Sequence, residues 1–162
     1  MEPLPPGRVV SIHLCRGARA PMESLPAASA QAGLGLEGDR HGRKGGGRQV
    51  LVVDAAVLAA EGLAHGAIRE NLTVEGIAVD ALPAGTLLRV GGFAVLRATG
   101  PCRPCHRMDE IRPGLEEGLR GRRGTLFTVL EGGMIRVGDA VAVTEAGRDG
   151  SGPAFRLGSA PS

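Results

Sequence analysis

The densest chemistry in the sequence lies in five consecutive residues, Cys102-Arg103-Pro104-Cys105-His106. As C-x-x-C-H the run matches a c-type haem attachment site. That use needs an oxidising compartment and a largely helical chain, and the sequence signals neither. As a redox dithiol, the pair would place its first sulfur at a helix N-terminus, which stabilises a thiolate. Here Pro101 and Pro104 flank it and no βαβ pattern precedes it. As half of a zinc site, Cys102 and Cys105 would need two further ligands from Cys15, His13, His41 and His106, which offer no second tight pair. Two inert thiols buried in a turn satisfy the same spacing.

Two other segments gather polar side chains. Gly38-Asp39-Arg40-His41-Gly42 sets a carboxylate, an imidazole and a cation in a Gly-rich stretch shared with Arg43, Lys44 and Arg48. Arg69-Glu70-Asn71 comes just before an apolar strand candidate, at a strand mouth where ligand-contacting groups often project. A solvated loop, and a surface ion pair of Arg69 with Glu70 or Asp80, account for these segments equally well. The cations are eighteen arginines against one lysine, Lys44. Genomic base composition produces such a bias. So does a need to grip phosphate or carboxylate through two parallel hydrogen bonds, which a guanidinium does better than an ammonium.

Only a chain that turns often can bring these segments together. Gly contributes 27 and Pro 11 of 162 residues, which favours many short strands over long helices. Apolar residues make up 43% and aromatic ones 2%, with three Phe and no Trp or Tyr. The core must come from Val, Leu, Ile and Ala, and binding of single-stranded nucleic acid by stacking on rings is disfavoured. Alternation predicts strands over 8–14, 48–53, 72–74, 86–90, 93–99, 125–130, 134–137 and 139–144. Asp54 is the expected N-cap of a short helix from Ala55 to Gly62, and a second helix is expected over 113–119. Gly91-Gly92 predicts a two-residue hairpin with both glycines at positive φ, and 17–47 reads as one long irregular excursion.

The fold class that follows is mainly β: a compact barrel or sandwich of short, mostly antiparallel strands with two or three short helices. One domain is expected over 1–146, with a flexible C-terminal tail over 147–162. A net charge of +2 implies no general attraction to nucleic acid or acidic membranes. No apolar run approaches the roughly 18 residues of a membrane span. Three cysteines without a secretion signal predict a reducing, cytoplasmic setting.

Taken in order, the motifs G-L-E-G-D-R-H, R-Q-V-L-V, R-E-N-L-T-V-E-G, a G-x-x-L-x-V-G hairpin, G-P-C-R-P-C, R-R-G and E-G-G-M-I-R-V-G-D-A-V resemble one family. This is the MOSC domain, found at the C-terminus of molybdenum cofactor sulfurases and in small standalone bacterial proteins. The likeness runs from Arg8 to Thr144. Each motif is weak alone; the ordered set is specific. The resemblance implies a MOSC-type β-barrel and, as partner, the molybdenum cofactor (molybdopterin with Mo). By the same likeness Cys105 takes the position of a family thiolate that ligates molybdenum or carries sulfur as a persulfide. Arg69 and Asn71 take the family's pterin- or phosphate-contacting R-x-N positions, Arg48 its R-Q strand start, and Asp39 and His41 its G-D-x-H stretch. Cys102 is then a resolving thiol or a structural one.

The chemistry of that assignment is coherent. Molybdenum accepts thiolate sulfur well, and a terminal phosphate calls for forked arginine contacts and the backbone N–H groups of Gly-rich loops. Two functions follow as expectations. One is a cofactor-binding or sulfur-carrying protein that works between a sulfur donor and an acceptor protein. The other is a molybdenum-dependent oxidoreductase that reduces N-hydroxylated compounds. With no dinucleotide fingerprint or cysteine cluster of its own, such an enzyme would take electrons from a partner reductase. The lack of a sulfurase-type pyridoxal-phosphate domain and of the helical extension of longer relatives favours the first.

Overall fold

Four consecutive buried residues, Val50 to Val53, mark a strand covered on both faces. The computed structural model describes residues 6–17, 19–42 and 44–144, and there the run is strand β5 (Val50–Asp54). Before it come β1 (Gly7–Leu14), β2 (Glu23–Leu25), β3 (Ala27–Gln31) and β4 (Gly35–Leu36). After it come α1 (Ala55–Glu61), β6 (Leu72–Glu75), a 3-10 turn (Val79–Ala81), β7 (Leu87–Val90) and β8 (Ala94–Pro101). Then follow α2 (Arg107–Ile111), α3 (Leu115–Gly118), β9 (Thr125–Glu131), β10 (Gly133–Arg136) and β11 (Ala140–Val143). The expected tail over 147–162 lies outside the described residues.

Seven strands close a barrel in the order β1-β6-β5-β9-β8-β7-β11 and back to β1, so the fold is mainly β with three short helices among the described residues. Only β5 and β6, joined through α1, run parallel; the other pairs of the ring are antiparallel. The closing seam is short, pairing Gly7 with Val141 and Arg8 with Ala140. Strand β2 continues from β1, and β10, β3 and β4 form a separate three-stranded sheet.

Alternation along β5 divides the core in two. Val50 and Val52 join Val9, Ile12, Leu72, Leu96 and Phe127 in the larger cluster. Leu51 and Val53 belong instead to a second cluster with Leu58, Ile68, Met108, Leu115, Leu119 and Leu126, where the helices pack against the sheet. Helix α1 forms as its sequence signals: Asp54 accepts from the Ala56 amide at 2.9 Å, and Gly62 ends it in the left-handed region.

Several expectations need correction. The 17–47 stretch contains β2, β3 and β4, because its small residues pair with other strands: Ala28 and Ala30 are buried on β3, which pairs with β10 and β4. In β1 a register shift between Val9 and Ser11 breaks the simple alternation, so Val9, Ile12 and Leu14 are all buried. The β7–β8 hairpin pairs Val90 with Ala94, leaving a three-residue loop that includes Phe93, and only Gly91 of its two glycines has positive φ. Helix α2 carried no strong pattern; its single buried residue is Met108.

Candidate functional site

Leu51 on β5 and Leu126 on β9 are register partners, and both line a cleft of about 560 Å³ against the helical layer. Its walls come from the segments that leave and enter the barrel strands. The β1 end supplies Cys15 and Arg19, the turn after β4 Arg40 and His41, and the Gly-rich approach to β5 Gly46, Gly47 and Arg48. Arg69 and Asn71 precede β6; Cys102, Arg103, Cys105, Arg107 and Met108 follow β8; Arg123 precedes β9. All three cysteines of the chain and seven of its arginines meet here, and among the described residues no Asp or Glu lines the space.

The two thiols of the C-x-x-C run are not equivalent. Cys105 is exposed while Cys102 is buried, as is Cys15. Buried Arg123 donates to Cys102 Sγ, to the Ile68 carbonyl at 2.9 Å and, through Nε, to Met108 Sδ at 3.2 Å. This cross-links the start of β9 to the turn before α2. Among the described residues no group of three or more His, Cys, Asp or Glu is placed to hold a metal ion.

Arg69 sits on strained backbone. It and Arg19 are the two non-glycine residues at positive φ among those described (φ 66 and 63), and both line the cleft. Glu70 holds the turn that requires this. Its buried carboxylate accepts from the Gly66 amide at 2.6 Å, the Ile68 amide at 3.3 Å and the Thr73 hydroxyl at 3.1 Å. No ion pair joins Arg69 to Glu70 or Asp80. Arg69 instead donates to the Ala20 carbonyl and to Cys15 Sγ, each at 3.0 Å.

Asn71 is almost wholly buried and its amide is committed to the protein. Nδ2 donates to the His13 carbonyl at 3.1 Å and to Asp39 Oδ1 at 3.2 Å, and Oδ1 accepts from the Leu51 amide at 2.9 Å. Asp39 does not line the cleft. Its side chain is fully buried, with Oδ1 accepting from the Cys15 amide at 2.7 Å and Oδ2 from the His41 amide at 3.2 Å. The predicted site residues are therefore brought together, in two tiers. Cys105, Cys102, Arg69, Asn71, Arg48 and His41 line the cleft, and Asp39 supports it from behind.

Burial pushes the His41 imidazole below its usual range, opposed by Asp39 and reinforced by the charges of Arg69, Arg40 and Arg48. The guanidiniums of Arg40, Arg48, Arg103 and Arg107 have no protein acceptor among the described residues. Arg19, which also lines the cleft, pairs with Glu110 at 3.4 Å; outside the cleft, Arg8, Arg16, Arg112, Arg120 and Arg122 are each paired with a glutamate, while Arg97 and Arg136 have no side-chain acceptor among the described residues. Residue-type reasoning named Cys15, Arg40 and Arg103 within candidate segments without assigning them to a site, and it missed Arg19, Arg107 and Arg123, for which the signals were the excess of arginine over lysine and the R-R-G motif that contains Arg123.

A family model described as MOSC domain matches residues 39–142. Among solved structures, YuaD from Bacillus subtilis superposes with a TM-score of 0.69 at 17% identity, over 83% of this chain and 93% of that one. YiiM from Geobacillus stearothermophilus gives 0.71 at 19% identity, over 94% and 83%. YiiM from Escherichia coli gives 0.64 at 18%, over 85% and 70%. These likenesses establish a shared fold. No curated protein matches the sequence. The matched segment covers well over half the chain and includes the whole C-x-x-C run, so the chain belongs to the MOSC domain family.

Proposed function

We propose that this chain binds the molybdenum cofactor in the arginine-lined cleft and holds or passes on molybdenum or sulfur through Cys105. Membership of the MOSC family supports a molybdenum-cofactor-related domain. The observation that carries the finer reading is an exposed thiol, Cys105, in a cleft where the guanidiniums of Arg40, Arg48, Arg103 and Arg107 have no protein acceptor and no carboxylate lines the wall among the described residues. The donor set fits such a group. One accessible sulfur suits a metal that arrives with its own dithiolene ligands, and the cations with the Gly46-Gly47 backbone suit its phosphate.

Each residue then has a stated task. Cys105 offers a thiolate, either as ligand or as persulfide carrier. Arg48, with Arg40 and Arg103, grips anionic oxygen, and Arg69 presents its guanidinium from the β6 mouth. The His41 imidazole is able to take a proton on a ring nitrogen. Cys102 is held by Arg123 and acts as a structural thiol. Asn71 and Asp39 act as positioning residues. The bound group would supply two-electron redox chemistry at the metal.

Metal and pterin analysis of protein made in a cofactor-synthesising host tests this. Wild type should retain molybdenum and release a fluorescent oxidised pterin, and Cys105→Ala should lose most of the metal. Full retention by Cys105→Ala, or zinc alone in wild type, overturns the assignment. An assay of N-hydroxylated base reduction with an artificial electron donor separates the two functions. Cofactor without turnover marks a binding or carrier protein, and turnover abolished by Cys105→Ala marks an oxidoreductase.

A further inference from the structure

Two segments distant in sequence, 39–41 and 69–71, converge on Cys15, the residue that follows β1. The Cys15 amide donates to Asp39 Oδ1 at 2.7 Å, and its carbonyl accepts from the Arg40 amide at 2.7 Å, so the turn after β4 is tied to the end of β1. Asp39 Oδ1 also accepts from Asn71 Nδ2, which joins the mouth of β6 to the same point. The Cys15 side chain completes the junction. Its sulfur is buried, donates to the Gly17 carbonyl at 3.4 Å and accepts from Arg69 Nη2 at 3.0 Å.

We infer that Cys15 is a positioning residue for Arg69, its sulfur fixing the plane of the guanidinium without taking up its charge. A planar fork is fixed when two of its nitrogens are held from different points. Here the Ala20 carbonyl holds Nη1 at 3.0 Å and the Cys15 sulfur holds Nη2. The Gly17 carbonyl, 3.5 Å from Nη2, is at the edge of hydrogen-bond reach, and the Cys15 thiol itself donates to it. Without the sulfur, one short bond remains and the group swings about it. The choice of acceptor matters as well. A thiol sulfur is a weak acceptor, so it directs the guanidinium and leaves its charge for an anionic ligand. A carboxylate in its place would pair with Arg69 and cancel that charge. The inference rests on the reading of the cleft as the cofactor site, where Arg69 is a gripping group, but the orientation of Arg69 is a property of the protein alone.

Nitrogen relaxation of the Arg69 side-chain Nε–H group, in cofactor-free full-length protein, reads that orientation directly. Wild type should give a rigid group, with an order parameter of about 0.85, and Cys15→Ala should lower it below about 0.6. Cys15→Ser keeps a donor and an acceptor at the same place and should restore most of the order. Packing alone does not separate the two variants, since both leave the volume of the sulfur unfilled, and their denaturant midpoints should fall by similar amounts. Arg69 as rigid in Cys15→Ala as in wild type overturns the inference. So does an equal loss of order in Cys15→Ala and Cys15→Ser. In protein from a cofactor-synthesising host, Cys15→Ala should retain severalfold less molybdenum and pterin than Cys15→Ser, and equal retention overturns the role given to the positioning. Wild type that holds no cofactor at all refutes the reading of the cleft, and the relaxation measurement still decides whether Cys15 orients Arg69, so the two ideas fail separately.

Discussion

At the scale of single residues, chemistry and support are divided between neighbours. Arg69 and Asn71 are two positions apart, yet one presents a guanidinium to the cleft and the other ties His13, Leu51 and Asp39 together. Asn71→Ala should leave the buried Leu51 amide and His13 carbonyl short of a partner. A loss of about 3 kcal/mol in chemical denaturation is expected. His13 carries a second prediction. Burial pushes its imidazole below the usual 6.5, with Glu70 opposing and His65 reinforcing, and its Nδ1 has no partner among the described residues. A group held neutral in the native state gives its full stabilisation above the unfolded pKa of 6.5 and loses it as pH falls from there towards the lower native value. His41 shifts in the same direction, so both act over that window. His13→Gln should flatten, without abolishing, the drop in stability below pH 6.5, as read from denaturation midpoints across pH.

At the scale of elements, the site depends on where strands begin. Gly124 (φ 98) opens β9, and a Cβ there would lie 2.5 Å from the Val52 carbonyl oxygen. Its amide donates to Asp80 at 2.8 Å and its carbonyl accepts from Cys102 at 2.9 Å, so the corner carrying Cys102 and Arg123 is set by this close approach. Gly124→Ala should cost at least about 2 kcal/mol and lower cofactor retention, measured by denaturant midpoint and by metal content. Elements with local signals were legible in the sequence. Asp54 and Gly62 bracket α1, and the Val50–Val53 run marks the strand buried on both faces. Elements made by pairing were not. Strand β3 reads as loop from its Ala and Ser residues, because what makes it a strand is β10, about a hundred positions later.

At the scale of the whole molecule, the cleft exists because the barrel closes. Strand β1 delivers Cys15 and Arg19 to one wall while β8 and β9 deliver Cys102 and Arg123 to another, and the β1–β11 seam completes the ring. Val141 is fully buried at that seam. Val141→Asp should destabilise the protein by about 3–5 kcal/mol and shift its denaturant midpoint. The family match begins at residue 39, yet Cys15 and Arg19 from the connection between β1 and β2 line the same cleft, so the site is assembled across that boundary.

The residue types and their order were enough to indicate a barrel-forming, Gly-punctuated β chain of MOSC character with Cys105 as its reactive candidate, since turns, caps and ordered motifs are local signals. Which side chains face the cleft was decided by the tertiary structure. Cys102 and Cys105 are three positions apart, and the packing of Cys102 into the second apolar cluster and against Arg123 buries one sulfur while the other stays exposed. Asp39 and Asn71 look like ligand contacts in the sequence. Asp39 is buried behind the cleft wall, and Asn71, at the wall, spends its amide on the protein. Apart from the His41 amide beside Asp39, their side-chain hydrogen-bond partners lie 20 to 58 positions away, and spacing along the chain carries no record of contacts that form when the barrel closes.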